Sequence, residues 1–277
     1  MTSAGSHTRI AAVIGSPVRH SLSPAMHNAA FRELGLDWIY VACEVAPEQV
    51  GAAFAGVRAL GFGGLSVTIP HKAAALEAVD ELTDAALAVG AVNTVVPVGD
   101  GRLRGENTDG AGFLASLADE GFDPGGRICA VVGAGGAARA VVHALAGAGA
   151  AEIVVVNRTP ARAEAAAALA GAAGRVGPPA DVSGADLVVN ATPLGLAGSG
   201  SEELPVDPAL LGQGQLVVDL IPNPAVTPLM RAARARGAGV AGGLGMLVHQ
   251  GALAFQLWTG RPAPVGVMRS AAVRALG

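Results

Sequence analysis

The chain has 277 residues, room for one large domain or two of ordinary size. Hydrophobic side chains make up 51% and charged ones 14%, with a net charge of −4. That excludes a disordered chain and argues against a nucleic-acid partner, whose binders carry a basic face. Cys43 and Cys129 stand far apart, with no CxxC or His/Cys cluster. Neither a disulfide framework nor a metal site is expected, and the chain reads as cytoplasmic.

In chain order, Arg9 to Gly15 reads as a strand. Ser23-Pro24 then opens a helix to about Leu34, with Ser23 as N-cap and proline at the first helical position. Trp38 to Glu44 is expected as a strand, Pro47 to Leu60 as a helix, and Gly64 to Ile69 as a strand. Lys72 to Val79 and Thr83 to Val89 are expected to be helical. Val92 to Val98 and Arg102 to Glu106 flank Gly99-Asp100-Gly101, a hairpin signal. A helix from about Thr108 to Glu120 leads to the break Asp123-Pro124-Gly125-Gly126, and the domain change is placed between residues 105 and 125. The alternation then restarts with strand Arg127 to Val132, helix Gly136 to Ala148, strand Glu152 to Asn157 and helix Thr159 to Ala170. Strands follow near Leu187 to Asn190 and Gln215 to Leu220, and the stretch from Gly243 is helical. Such alternation predicts an α/β layer architecture. The most apolar segment, Ile128 to Val156, carries Arg139, His143 and Glu152; it reads as strand–turn–helix, and no membrane partner is expected.

Two features point to chemistry. Lys72 is the single lysine among 18 basic side chains. Arginine serves everywhere else, and arginine cannot give up its proton whereas a lysine amine can. Lys72 is therefore a candidate general acid/base. Codon bias alone could also leave one lysine behind.

The second feature is Gly133-Ala134-Gly135-Gly136-Ala137-Ala138, which fits GxGxxG/A between an apolar strand and an Ala-rich helix. That context makes the tight turn, the close backbone approach to a pyrophosphate and the helix N-terminus useful together. At the end of the next strand, a carboxylate would hold the ribose 2′-hydroxyl of NAD. Here Asn157-Arg158-Thr159 stands instead, with Arg162 one turn on. Two guanidinium groups suit a 2′-phosphate, so the cofactor is read as NADP.

Further polar clusters sit at strand ends and helix starts: GSPVRHSLSPAMHN from Gly15, SVTIPHK from Ser66, Ala91 to Thr94, and Glu106 to Gly110. Singly, each has a plain structural explanation as caps and turns. Together, beside a hydride cofactor, they suit a small polyhydroxylated acid. With NATPLG (Asn190 to Gly195) and GLGMLVHQGALAFQLWTG (Gly243 to Gly260), the sequence resembles the shikimate dehydrogenases over nearly its whole length.

That resemblance implies an N-terminal α/β substrate domain over residues 1–106 and a Rossmann-like, doubly wound, parallel-sheet NADP domain over 107–242. C-terminal helices over 243–277 would return to the substrate domain. The implied reaction is the reversible, NADPH-dependent reduction of 3-dehydroshikimate to shikimate, in chorismate and aromatic amino-acid biosynthesis, by a monomer or homodimer. Lys72 and Asp109 would be the catalytic pair. Ser21 and Ser23 would hold the substrate carboxylate, and Thr68, Asn93 and Gln250 the ring hydroxyls. Gly133, Gly135, Gly136, Ala137, Asn157, Arg158, Thr159 and Arg162 would line the cofactor, with Thr192, Leu220, Gly243 and Met246 nearer the nicotinamide. Ser66, also at the substrate, stands where the family most often has Asn, and Pro222 where it commonly has Tyr. Quinate or an aminated shikimate therefore stays open as substrate, as does a non-catalytic NADP- or metabolite-sensing role. His20, His27 and His71 are expected to be structural or to support the site, and His143 and His249 to pack.

Overall fold

The computed structural model describes residues 5–196 and 203–276. The chain divides into two compact units. One comprises the chain up to Thr108 together with Val248 onward; the other is Asp109–Leu247. The first unit contains β1 (Arg9–Gly15), α1 (Ser23–Glu33), β2 (Trp38–Glu44), α2 (Val50–Ala59), β3 (Gly64–Val67), α3 (Ala75–Ala78), β4 (Glu81–Leu82), α4 (Asp84–Val89), β5 (Thr94–Pro97) and β6 (Leu103–Glu106). Its sheet runs β2-β1-β3-β5-β6-β4. β1 is parallel to β2 and β3, while β5 is antiparallel to β3 and β6. On one face Ala12, Ile14, Leu65 and Val67 pack against Phe54 and Val57 of α2.

The second unit contains α5 (Asp109–Asp119), β7 (Ile128–Val132), α6 (Gly136–Gly147), β8 (Glu152–Val156), α7 (Pro160–Ala167), β9 (Gly174–Val176), β10 (Leu187–Asn190), β11 (Leu216–Asp219), α8 (Pro228–Ala235) and β12 (Gly239–Gly242). Its strands are all parallel, in the order β12-β11-β10-β7-β8-β9. That is the doubly wound dinucleotide-binding order, with the switch point between β7 and β10. Val131, Val155 and Val189 are buried on one face and Ala130, Val154, Val188 and Val217 on the other. Burial on both faces is why these strands read as unbroken apolar runs.

The chain ends in α9 (Leu244–Thr259) and α10 (Val265–Ala275). In the first unit, Phe255 and Trp258 of α9 complete an aromatic layer with His27, Phe31 and Tyr40. Trp258 anchors it, its indole N–H donating to Val95 O at 3.0 Å. Among the described residues no helix is long and apolar enough to cross a membrane, and no cluster of His, Cys, Asp or Glu could hold a metal.

Local departures from the expected elements have identifiable causes. The helix after Lys72 shortens to Ala75–Ala78 because the preceding backbone is spent on tight turns, His71 N–H to Thr68 O and Ala75 N–H to His71 O, both 2.9 Å. Ser23 is not the N-cap of α1; Leu22 is, without a side-chain cap. Instead Ser23 N–H donates to the Ser21 hydroxyl at 3.3 Å. Pro47–Gln49 forms a 3₁₀ turn ahead of α2, and α7 gives way to another at Ala168. The Gly99-Asp100-Gly101 hairpin forms, all three residues having positive φ.

Candidate active site

In the first unit the polar motifs meet where the parallel strands end. Gly15 closes β1 against the turn after β3, with Ser16 N–H donating to Ile69 O and Thr68 N–H to Ile14 O. A Cβ at Gly15 would stand 2.5 Å from Thr68 Cγ2, so this approach requires glycine. The approach brings the segment carrying Ser21 and Ser23 to the same edge as Ser66 and Thr68. Asn93 arrives from the other side, since Val67 N–H donates to Asn93 O at 2.8 Å and Ser66 pairs with Thr94.

Lys72 sits half-buried at this edge. His71, 1% exposed, fixes its neighbour through Nε2 to Val45 O at 2.7 Å, and Lys72 O accepts from Val92 N–H at 2.9 Å. Asn93 is the hub of an amide–hydroxyl cluster. Its Oδ1 accepts from Thr108 N–H at 2.8 Å, and its Nδ2 donates to Thr108 Oγ1 at 3.0 Å and to Gln250 Oε1 at 3.4 Å. Thr94 Oγ1 lies 3.3 Å from Thr108 Oγ1. Thr94 and Thr108 belong to the cluster but were not expected there; both fall inside motifs that mark the site, yet their pairing spans residues far apart in sequence. Of the residues expected at the substrate, Ser21, Ser23, Ser66, Thr68, Lys72 and Asn93 lie in the polar motifs and Gln250 was implied by the family resemblance; all belong to the first unit. Asp109 is the next residue after Thr108, 5% exposed at the start of α5 in the second unit.

Beneath this edge lie two buried rings. His27 stacks on Tyr40 with centroids 4.4 Å apart and planes 8° from parallel. Among the described residues, the His27 Nδ1 and the Tyr40 hydroxyl are both buried without a hydrogen-bond partner. Burial raises the Tyr40 phenol pKa, only partly offset by the hydroxyls of Ser66 and Ser23, which approach without closing a bond. Burial pushes the His27 imidazole down to about 3. An unfolded histidine takes its proton near pH ~6.5, so between these values the unfolded chain binds more protons than the folded one. Stability from this group is therefore complete above pH ~6.5 and is lost as the pH falls towards 3. His27→Phe is expected to flatten that part of the acid limb, measured as urea midpoints across the window. An acid limb parallel to the parent's would contradict it.

In the second unit the glycine turn follows β7. Gly133 has φ 113°, and a Cβ there would stand 3.0 Å from Ala191 O at the switch point. Gly135 and Gly136 differ: among the described residues, an added Cβ would meet nothing within 4 Å beyond its own chain neighbours and helix backbone. Their smallness answers no packing need inside the chain, so they leave an open cradle at the N-terminus of α6 that suits a pyrophosphate. At the end of β8, Asn157 Nδ2 donates to Thr159 O at 3.1 Å and turns the chain into α7. Arg158 and Arg162 are exposed, and among the described residues neither pairs with a carboxylate. Both remain available to an anion, so the residues fit a 2′-phosphorylated dinucleotide. On the opposite flank Gly243 packs against the Leu220 carbonyl so closely that a side chain would not fit. Met246 is buried in the neighbouring core, and Thr192 follows β10.

The sequence matches three domain families. These are the shikimate dehydrogenase substrate binding domain over residues 13–95, the saccharopine dehydrogenase NADP binding domain over 129–241, and the shikimate 5′-dehydrogenase C-terminal domain over 243–273. It is 49% identical to the shikimate dehydrogenase (NADP(+)) of Moorella thermoacetica, over 98% of this chain and 94% of that protein. The crystal structure of shikimate 5-dehydrogenase from Thermus thermophilus with NADP(H) and shikimate superposes with a TM-score of 0.90 at 43% identity, covering 97% of this chain and 100% of that one. Quinate dehydrogenase from Corynebacterium glutamicum in complex with NAD gives a TM-score of 0.89 at 31% identity, over 96% and 99%. Identity at this level across the full length, on a substrate-binding α/β unit and a Rossmann-like NADP unit, shows that the chain belongs to the shikimate dehydrogenase family.

Proposed function

We propose that the protein catalyses the reversible, NADP-dependent interconversion of 3-dehydroshikimate and shikimate in the cytoplasm, where Cys43 and Cys129 stay reduced. The observation that carries this reading is the full-length likeness to curated shikimate dehydrogenases that use NADP(+). The bound cofactor supplies or takes the hydride. The unit spanning residues 109–247 would hold it, with the phosphates over Gly135 and Gly136 and the 2′-phosphate between Arg158 and Arg162. Ser21 and Ser23 would donate to the substrate carboxylate, while Thr68, Asn93 and Gln250 position the ring hydroxyls.

During reduction, negative charge develops on the C3 oxygen. Protonated Lys72 stabilises that charge and gives its proton to the oxygen, leaving a neutral amine that regains a proton from solvent. Asp109 would accept a hydrogen bond from the resulting hydroxyl. Incubation with 3-dehydroshikimate and NADPH is expected to yield one shikimate per NADPH consumed, identified by NMR. Tight NADPH binding with no turnover on any shikimate-like acid would replace this reading with a sensing role.

A second substrate reading rests on Ser66 and Pro222. Ser66 offers a donor and an acceptor on one short-reaching oxygen, where an amide would set an NH2 and a carbonyl oxygen on two separate atoms further from the backbone. Quinate, which carries an extra ring hydroxyl, or an aminated shikimate is the substrate class this change would admit.

A further inference from the structure

Asp219 is fully buried at the end of β11, yet among the described residues no cation pairs with it. Burying an unpaired carboxylate is costly unless donors surround it. Three do. Asn190 Nδ2 at 2.9 Å and Ile221 N–H at 3.2 Å donate to Oδ1, and Thr227 Oγ1 at 2.6 Å donates to Oδ2. Thr227 has one proton and already accepts from Met230 N–H, so its proton goes to Asp219. Burial raises the Asp219 pKa, while these three donors favour the charged form.

The carboxylate fixes its neighbour. Asn190 pairs in register with Asp219 on one side and Val132 on the other, so it sits between β11 and the glycine turn after β7. Because its Nδ2 must face Asp219, its Oδ1 must face the Thr192 loop. There it accepts from Thr192 N–H at 2.9 Å and from the Thr192 hydroxyl at 2.7 Å. The hydroxyl has thus spent its only proton. One lone pair takes Leu194 N–H at 3.3 Å, and among the described residues the other has no donor. Thr192 is itself partly exposed, beside Gly133 at the switch point.

We propose that Asp219 is a positioning residue which, through Asn190, fixes the Thr192 hydroxyl as an acceptor for an N–H or O–H donor on the nicotinamide-riboside half of the cofactor. This rests on the proposed cofactor reading. The carboxamide N–H and a ribose hydroxyl are the two donors of that chemistry. A neutral amide at position 219 would set an NH2 against Asn190 or Thr227. Turning Asn190 over to relieve that clash would leave Thr192 without its acceptor and reverse the polarity of its hydroxyl.

The test is equilibrium binding of NADPH without substrate, read by protein fluorescence, on the whole chain. Thr192→Val and Asp219→Asn are each expected to raise Kd about tenfold, the scale of one hydrogen bond. Thr192→Ser should bind like the parent. In the Thr192→Val background, Asp219→Asn should add less than about twofold, because the group it acts through is gone. Losses that multiply, or a Thr192→Val protein within about twofold of the parent, would overturn the proposal, the latter even if Asp219→Asn fails to fold. The reduced 3-acetylpyridine analogue of NADPH lacks the amide N–H. If the Thr192→Val penalty vanishes with it, the donor is the carboxamide; if it persists, the donor is a ribose hydroxyl. A parent protein that binds no NADPH would overturn the cofactor reading and this proposal with it. A parent that binds tightly but ignores both substitutions overturns the proposal alone.

Discussion

Lys72→Arg is expected to fold and bind NADP yet lose about a thousandfold in kcat, the scale of a positioned general acid. The guanidinium keeps the positive charge, so electrostatic support of the developing oxyanion is retained in part. What it cannot do is release a proton near neutral pH. It is also planar and longer, on a backbone held by the His71 contact to Val45 and the Val92 contact to Lys72 itself. Single-turnover rates with a saturating substrate, beside the NADPH Kd and the melting temperature, separate chemistry from binding and folding. A near-native kcat would remove proton transfer from Lys72. The charge alone would then account for the lysine.

Arg158→Ala is expected to weaken NADP by about 10- to 100-fold, the range of a charge-assisted hydrogen bond to phosphate, while NAD changes by less than about twofold. The asymmetry follows from position. Arg158 is exposed at the end of β8, so removing it costs little packing, and its loss matters only to a ligand carrying the 2′-phosphate. Arg162, in the first turn of α7, should give a smaller effect in the same direction. Both losses should shrink as salt rises, because exposed charges are screened. Equal weakening of NADP and NAD would show that Arg158 supports the turn rather than the phosphate.

Much of this was legible from sequence because the signals are local. The glycine turn, the apolar strand before it and the Arg158 position all lie within one strand–turn–helix–strand stretch, whereas the doubly wound order was implied by the family resemblance. The elements that escaped are short or non-local. β4 has two residues and β9 three, and β12 is Gly-Val-Ala-Gly; none carries an alternation long enough to read. Helix α8 did have a readable start. Thr227 accepts from Met230 N–H as N-cap, with Pro228 at the first turn, the same pattern that marked α1. At α1 the pattern gave the helix but the wrong cap, because the Ser21 hydroxyl takes Ser23 N–H.

The site divides in the same way. Lys72 stands out by residue usage and the cofactor turn by spacing, whereas the roles of the remaining residues came through family resemblance. The Asn93–Thr108–Gln250 cluster joins three separate stretches, one of them α9. The Asp219–Asn190–Thr192 chain links the ends of adjacent strands whose sequences each look like ordinary turns. Hydrogen bonds between distant stretches leave no spacing pattern to find.

The most direct test is a comparison of kcat/KM for shikimate and quinate, each with NADP and with NAD. The account predicts that shikimate with NADP exceeds every other combination by at least about tenfold. A preference for quinate would contradict the substrate, pointing to Ser66 and Pro222 as its cause. A preference for NAD would contradict the reading of Arg158 and Arg162.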